Sequence, residues 1–383
     1  MRDPEERLRA AWRETGLPGV VFAAAGPHEL LDAKALGVVD AGSSQPMSMA
    51  TVFWLASITK LATAVAVLQL VERRLLDLGD EVARHLPFFD NLEVLTSFGL
   101  VPARASLQVH HLLTHTAGFG YEAWSKPLAD YVAQQGLATA RTGLRSSLER
   151  PLLFQPGAMW NYGIGMDWAG LLVEQISGVS LSEYLQSYVF DPLGMDSTGF
   201  APAPGASRAV VYTRQAGGVL ARTPMDPNPN REFDSGGAGL YSTPRDVLRL
   251  LQSLLRAAQG STSEVLRSAT VLEARANQID LLEVRDLGSC APERSRDLAL
   301  FPGRKKGWSY FGLLHREAEP GGRCAGSVSW AGIANTFFWI DFDAGVAAVV
   351  FAQSLPFLDP VIVALVERYE QDLYAKLRAS SCM

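Results

Sequence analysis

Cysteine is scarce in this chain, and long apolar runs are missing. Only Cys290, Cys324 and Cys382 stand among 383 residues, and no two of them form a C-x-x-C pair. So few thiols build no disulfide framework and fit a reducing compartment. The N-terminus, MRDPEERLRAAWRE, is charged from its second residue and has no apolar signal core. The longer apolar stretches are broken by Gln, Ser, Asp or Pro, as in Phe351-Ala-Gln-Ser-Leu-Pro, so none reads as a membrane span. A soluble cytoplasmic protein is the expectation. Basic excess is lacking too: 34 Lys and Arg face 40 Asp and Glu, a formal net charge of -6. That balance argues against a nucleic-acid or anionic-membrane partner, since both require basic patches. Arg304-Lys305-Lys306 is the one notable basic cluster, and it reads as a solvated loop.

What the chain does have is apolar mass, 48% hydrophobic against 19% charged residues, enough for a sizeable core. At about 150 residues per domain, its length suits two to three domains or one composite one. Asp3–Thr15 reads as an amphipathic helix, with Asp3 as cap, Pro4 in the first turn and Leu8, Ala11 and Trp12 on one face. Two β-rich runs follow, Val20–Ala25 and Ala35–Val39, with Gly26-Pro27 at the turn. Ser57–Leu76 is a helix apolar around nearly its whole circumference, which belongs inside a protein.

From there to about residue 255 the signals are mostly helical, including Val109–Thr114, Asp167–Ser177, Leu181–Val189 and Pro244–Ala258. Strand character returns in Trp308–His315, Cys324–Trp330, Thr336–Asp341 and Val346–Phe351, before a closing helix over Asp359–Leu377. Residues 259–307 are the least readable. The order β, α, β with terminal helices predicts an α+β fold. Its antiparallel β-sheet would be flanked by the N- and C-terminal helices and interrupted by an inserted, mainly helical domain. The expected division is 1–78 with 235–383 for the sheet domain and 79–234 for the helical one, with the active site at their junction.

Ser57-Ile58-Thr59-Lys60 is an S-x-x-K at the start of the buried helix. Residues i and i+3 share a helix face, so the Lys60 amine can reach the Ser57 hydroxyl. Unpaired N–H groups at a helix start favour the anion formed when a serine attacks a carbonyl. A lysine enclosed by apolar neighbours can serve as a base. On its own the motif is weak, because S-x-x-K arises by chance about once or twice in a chain of average composition. His111 and His115 have helical i,i+4 spacing, but there is no HExxH glutamate or third ligand, so a structural role is expected and no metal or cofactor is implied. Gly236, Gly237 and Gly239 do not follow a strand of a βαβ unit, and they read as a tight turn near the pocket.

Four ordered segments raise the weight of the motif. They are FWLASITKLATAVAVLQLVERRLLDLGDEVARHLP, LLTHTAGF, FQPGAMWNYGIGMDWAGLLVEQISG and GSVSWAGIANTFFWIDFDAGVAAVVFAQ. Together they resemble the class C β-lactamase, D-alanyl-D-alanine carboxypeptidase and family VIII carboxylesterase group of the penicillin-binding superfamily, over roughly residues 10–375. The resemblance implies Ser57 as nucleophile and Lys60 and Tyr162 as its proton-handling partners. It also implies an oxyanion hole from the N–H groups of Ser57 and Ile333, and Trp330-Ala331-Gly332 as the third motif beside the substrate. Phe119, Trp124, Trp160 and Trp168 fall near the matched motifs and either line an apolar pocket or pack in the core.

Two departures bear on substrate. Lactam-acting members of the group have Tyr-x-Asn, where this chain has Ile164. They also carry a cation at the head of the third motif, where Trp330 offers one N–H and no charge. An apolar ester needs neither grip, and the wording is most like family VIII esterases and fungal polyketide acyltransferases. The expected activity is a serine carboxylesterase acting on small ester molecules of short to medium chain length through an acyl-Ser57 intermediate. An acyltransferase using an alcohol in place of water is the alternative. A β-lactamase and an idle binding protein are weaker readings.

Overall fold

The computed structural model describes residues 3–140, 142–223 and 231–381, so Cys382 lies outside the described residues. Helix α1 (Pro4–Thr15) opens as its sequence predicts: the Asp3 side chain accepts from the Glu5 amide, Pro4 takes the first turn, and Gly16 ends the helix in the left-handed conformation. Its apolar face buries Leu8 and sets Ala11 and Trp12 against the core. Seven antiparallel strands form the central sheet: β1 (Gly19–Ala25), β2 (Leu30–Gly37), β3 (Lys306–Ser309), β4 (Gly312–His315), β5 (Val328–Gly332), β6 (Thr336–Asp341) and β7 (Val346–Phe351). Their order is β2-β1-β7-β6-β5-β4-β3, so early and late chain segments meet at the β1–β7 seam.

Three of the expected strands have different bounds in the structure. Strand β2 starts at Leu30, because Asp32 and Lys34 on this half-exposed edge mask its strand character. Trp308–His315 is a hairpin turning at Tyr310-Phe311, and both turn residues are buried, so its hydropathy looks continuous. The strand expected from Cys324 begins only at Val328, after Gly326 at φ 84°.

Because strand side chains alternate faces, register decides which residues see the catalytic side. Trp330 pairs with Phe338, which pairs with Val349, and these share one face. Ala331 pairs with Phe337 and lies on the opposite face. That second face is covered by the C-terminal helix α6 (Pro360–Ser381), whose Tyr369 packs on Phe22 and Trp339, while α1 lies along α6. Helix α5 (Pro244–Ala258) packs on β1 and β7.

The middle of the chain holds α2 (Thr59–Glu72), α3 (Val109–Thr114) and α4 (Gly165–Ser177), together with a β-hairpin over residues 93–102 that the sequence reading did not foresee. Every residue of α2 from Thr59 to Leu70 is buried, as expected of a helix with Ala, Val and Leu on all sides. It starts two residues after Ser57 and ends at Glu72, short of Leu76. No described helix is long and apolar enough to cross a membrane.

Candidate active site

Ser57 sits in one 3-10 turn, Ala56–Ile58, that leads directly into α2. The turn begins with Ala56 at φ 47°, a left-handed conformation that costs a non-glycine residue about 1–2 kcal/mol. Packing from the sheet holds it there. The Thr336 hydroxyl donates to the Leu55 carbonyl at 3.1 Å. Gly332 lies so close that a Cβ on it would sit 2.2 Å from that carbonyl and 3.1 Å from the Ala56 Cβ, so only glycine fits where β5 meets the turn. The third motif is therefore pressed against the nucleophile. Strand β4 pairs with β5 only at Val328 and Ser329, so among the described residues the outer edge of Trp330–Gly332 is left without a strand neighbour.

Lys60, one turn into the helix, is 6% exposed and has three hydrogen-bond partners. Its Nζ donates to Ser57 Oγ at 3.2 Å, to the Tyr121 hydroxyl at 3.2 Å and to the Gly237 carbonyl at 2.8 Å. An ammonium has three N–H bonds, so this set uses all of them. The glycines read as a turn near the pocket do border the site: Thr59, Lys60 and Thr63 of α2 all bond to the 236–240 segment.

Tyr162 lies beside the lysine with its ring, at 4.7 Å from Nζ to the centroid. Its hydroxyl oxygen accepts from Trp330 Nε1 at 3.1 Å. The phenol in hydrogen-bonding distance of Lys60 is thus Tyr121, two residues past the LLTHTAGF segment, which the sequence reading passed over. Nothing local marked it, because its reach to Lys60 arises from the way the chain returns to α2. Burial holds the Tyr121 phenol well above its usual range, with Asp167 and Tyr162 adding to the effect, so it stays protonated.

An aromatic box surrounds Tyr162. His115, Trp330, Tyr121 and Trp124 lie 4.8, 4.9, 5.2 and 5.7 Å from it, centroid to centroid. His115 caps α3 in the left-handed conformation, and burial, followed by the nearby Lys60 charge, lowers its basicity well below normal. His111 accepts from the Gln108 amide at the start of α3. Both histidines therefore act in the scaffold, and no group of metal-binding side chains occurs among the described residues.

The expected pocket residues separate into two sets. Trp124 is partly exposed and donates to Ser295 Oγ at 3.1 Å, which ties the hard-to-read stretch after residue 288 to the site. Trp160 packs on Trp308 at 5.4 Å, behind His115. Phe119 and Trp168 instead pack with Phe89, in the core. Ala331 presents its side chain to the α6 face, so only its backbone borders the catalytic side. Ile164 is fully buried at the start of α4.

A serine–lysine–phenol cluster, its lysine buried, pressed against a strand edge on this α+β scaffold, defines a serine acyl-transfer fold, and comparison with known proteins agrees. The Beta-lactamase family model matches residues 5–370, and the chain belongs to that family. It is 32% identical to the Monacolin J acid methylbutanoyltransferase of Aspergillus terreus over 356 residues, covering 86% of this chain and 84% of that protein. Esterase EstB of Burkholderia gladioli is likewise 32% identical, over 90% of this chain and 88% of its own length. Among solved structures, unliganded Simvastatin Synthase from Aspergillus terreus superposes with a TM-score of 0.84 at 29% identity, covering 98% of this chain and 99% of that one.

Proposed function

We propose that this protein is a serine carboxylesterase acting through an acyl-Ser57 intermediate. The single observation that carries the reading is Lys60 Nζ held between Ser57 Oγ and the Tyr121 phenol, both at 3.2 Å. Of the three Lys60 partners, the Gly237 carbonyl can only accept, so it fixes the amine's orientation, whereas the two hydroxyls can both donate and accept. When the amine is neutral, its lone pair takes the Ser57 proton while Oγ forms a bond to the ester carbonyl carbon. The N–H groups of Ser57 and Ile333 receive the oxyanion, as the family pattern has it. Trp330 Nε1 is a donor only, so it fixes the Tyr162 oxygen as acceptor and leaves the Tyr162 proton free to be given away. That proton goes to the leaving alcohol as the carbon–oxygen bond breaks, and Lys60 restores it. Water then resolves the acyl-enzyme by the same route reversed.

A second reading, transfer of the acyl group to an alcohol, uses the same nucleophile and rests on the named activities of the relatives. Relatives named as an esterase and as an acyltransferase are equally similar in identity. Turnover of p-nitrophenyl esters with and without an added alcohol separates the two. Hydrolysis predicts p-nitrophenol release with free acid as the main product throughout. A new ester as the main product assigns acyl transfer, and no turnover of any ester overturns both.

The division of labour between the phenols has its own test. Lys60→Ala and Tyr162→Phe should each lower kcat by at least about a hundredfold, the lower range for general acid–base groups. Their double variant should lose little more, because they serve one proton path. Tyr121→Phe, which removes one of three Lys60 acceptors, should cost about tenfold. Additive losses in the Lys60–Tyr162 double variant would contradict the shared path.

A further inference from the structure

Asp167 is a buried carboxylate that the acyl-transfer steps above do not use. It projects from the first turn of α4 and is 5% exposed. Its Oδ1 accepts from Ser235 Oγ at 2.6 Å and from the Gly237 amide at 3.0 Å. The carbonyl of that same Gly237 is the closest acceptor of Lys60 Nζ, at 2.8 Å. A single residue therefore links the carboxylate to the catalytic amine, with its N–H on one and its C=O on the other. The contact is made for glycine: a Cβ at position 237 would lie 2.6 Å from Asp167 Oδ2.

Building on the Ser57–Lys60 reading, we propose that Asp167 is a positioning residue that holds the Gly237 carbonyl on Lys60 and supplies the buried negative charge opposite the ammonium formed during acylation.

Other charged and titratable groups around the pair do not supply that charge. His115 bears on Lys60 from the end of α3 and is neutral, Tyr121 stays a phenol, and Tyr162 faces Lys60 with its ring. Arg150 reaches Asp167 as a second cation, but its guanidinium bonds Glu122 at 2.8 Å, and Glu122 is the remaining acid in this region. Burial raises the Asp167 carboxyl above the usual carboxylate range. The Lys60 charge, the Ser235 hydroxyl and the Gly237 amide oppose that shift, so carboxylate and ammonium support one another. The step itself moves one proton from Ser57 to Lys60 as the acyl–oxygen bond forms, and Asp167 keeps its own state throughout.

The test is Asp167→Asn, which keeps an acceptor for the Gly237 amide but removes the charge. Losing a negative charge beside a cation makes the catalytic unit shed its proton more readily. The acidic limb of kcat/KM should therefore move to lower pH by about one unit, the low end for a close charge pair. The plateau kcat should fall about tenfold or more, because the ammonium of the transition state has lost its counter-charge. Ser235→Ala, which removes a hydrogen bond but no charge, should leave the limb where it is. An Asp167→Asn profile superimposable on the wild type, with only a lower melting temperature, would overturn the proposal. Labelling of Ser57 by a fluorophosphonate in the wild-type protein keeps the two readings apart. If that labelling fails, the nucleophile assignment is wrong; if it succeeds while the limb stays fixed, only the role of Asp167 is.

Discussion

Ser57→Ala should abolish ester turnover, lowering kcat by about four to six powers of ten, while the far-ultraviolet circular dichroism and melting temperature stay close to wild type. The size of the loss follows from the geometry. Ser57 Oγ is the hydroxyl one turn before Lys60 and 3.2 Å from its amine, at a backbone turn strained through Ala56 to present it. Residues that act as one nucleophilic unit lose nearly the whole rate enhancement when the nucleophile goes, leaving only what binding and the oxyanion site provide. The fold should survive because Ser57 is partly exposed and its side chain leaves no large cavity. Activity within tenfold of wild type would remove the basis of the assignment.

Esters should be preferred to β-lactams by about two to four powers of ten in kcat/KM, measured as p-nitrophenyl butyrate against nitrocefin in one buffer. A lactam antibiotic brings a carboxylate and an amide that need partners. Ile164 stands where an asparagine would hold the amide, and it is buried in the protein itself. Trp330 stands where a cation would grip the carboxylate, and its one N–H is already given to Tyr162. Arg323 is not available instead. It is 3% exposed, donates to Glu370 at 2.8 and 2.6 Å, and lies under the Trp339 ring on the α6 side of the sheet. Each unmet polar group costs on the order of 1–3 kcal/mol, and 1.4 kcal/mol is one power of ten. A preference for nitrocefin would show that another residue supplies the missing charge.

The buried helix α2 and strands β6 and β7 were legible because one strong signal decided each: an apolar surface all round, or a short run of β-branched and aromatic residues between turn signals. Val109–Thr114 and Pro244–Ala258 were bounded correctly by their punctuation. Ser57, Lys60 and Trp330 could be named because their chemistry is tied to local spacing or a motif. Tyr121 and Asp167 could not, and Gly237 could be placed near the pocket but not on the Lys60 amine. Their relation to Lys60 depends on segments about 60 to 180 residues apart in the chain meeting at one amine, and no periodicity encodes that. Phe119 and Trp168, for which the sequence leaves pocket lining and core packing equally open, pack with Phe89. Register settled Ala331, whose face is fixed by its pairing with Phe337.

The most direct test of the acyl-Ser57 claim is to trap the intermediate. Acid quenching during steady-state turnover of p-nitrophenyl butyrate, followed by peptide mass spectrometry, should find one butyryl group on the peptide bearing Ser57. The adduct should be absent from Ser57→Ala and longer-lived in Tyr162→Phe. A butyryl group reproducibly on another residue, or full turnover in a protein whose Ser57 is blocked by a fluorophosphonate, would contradict the account.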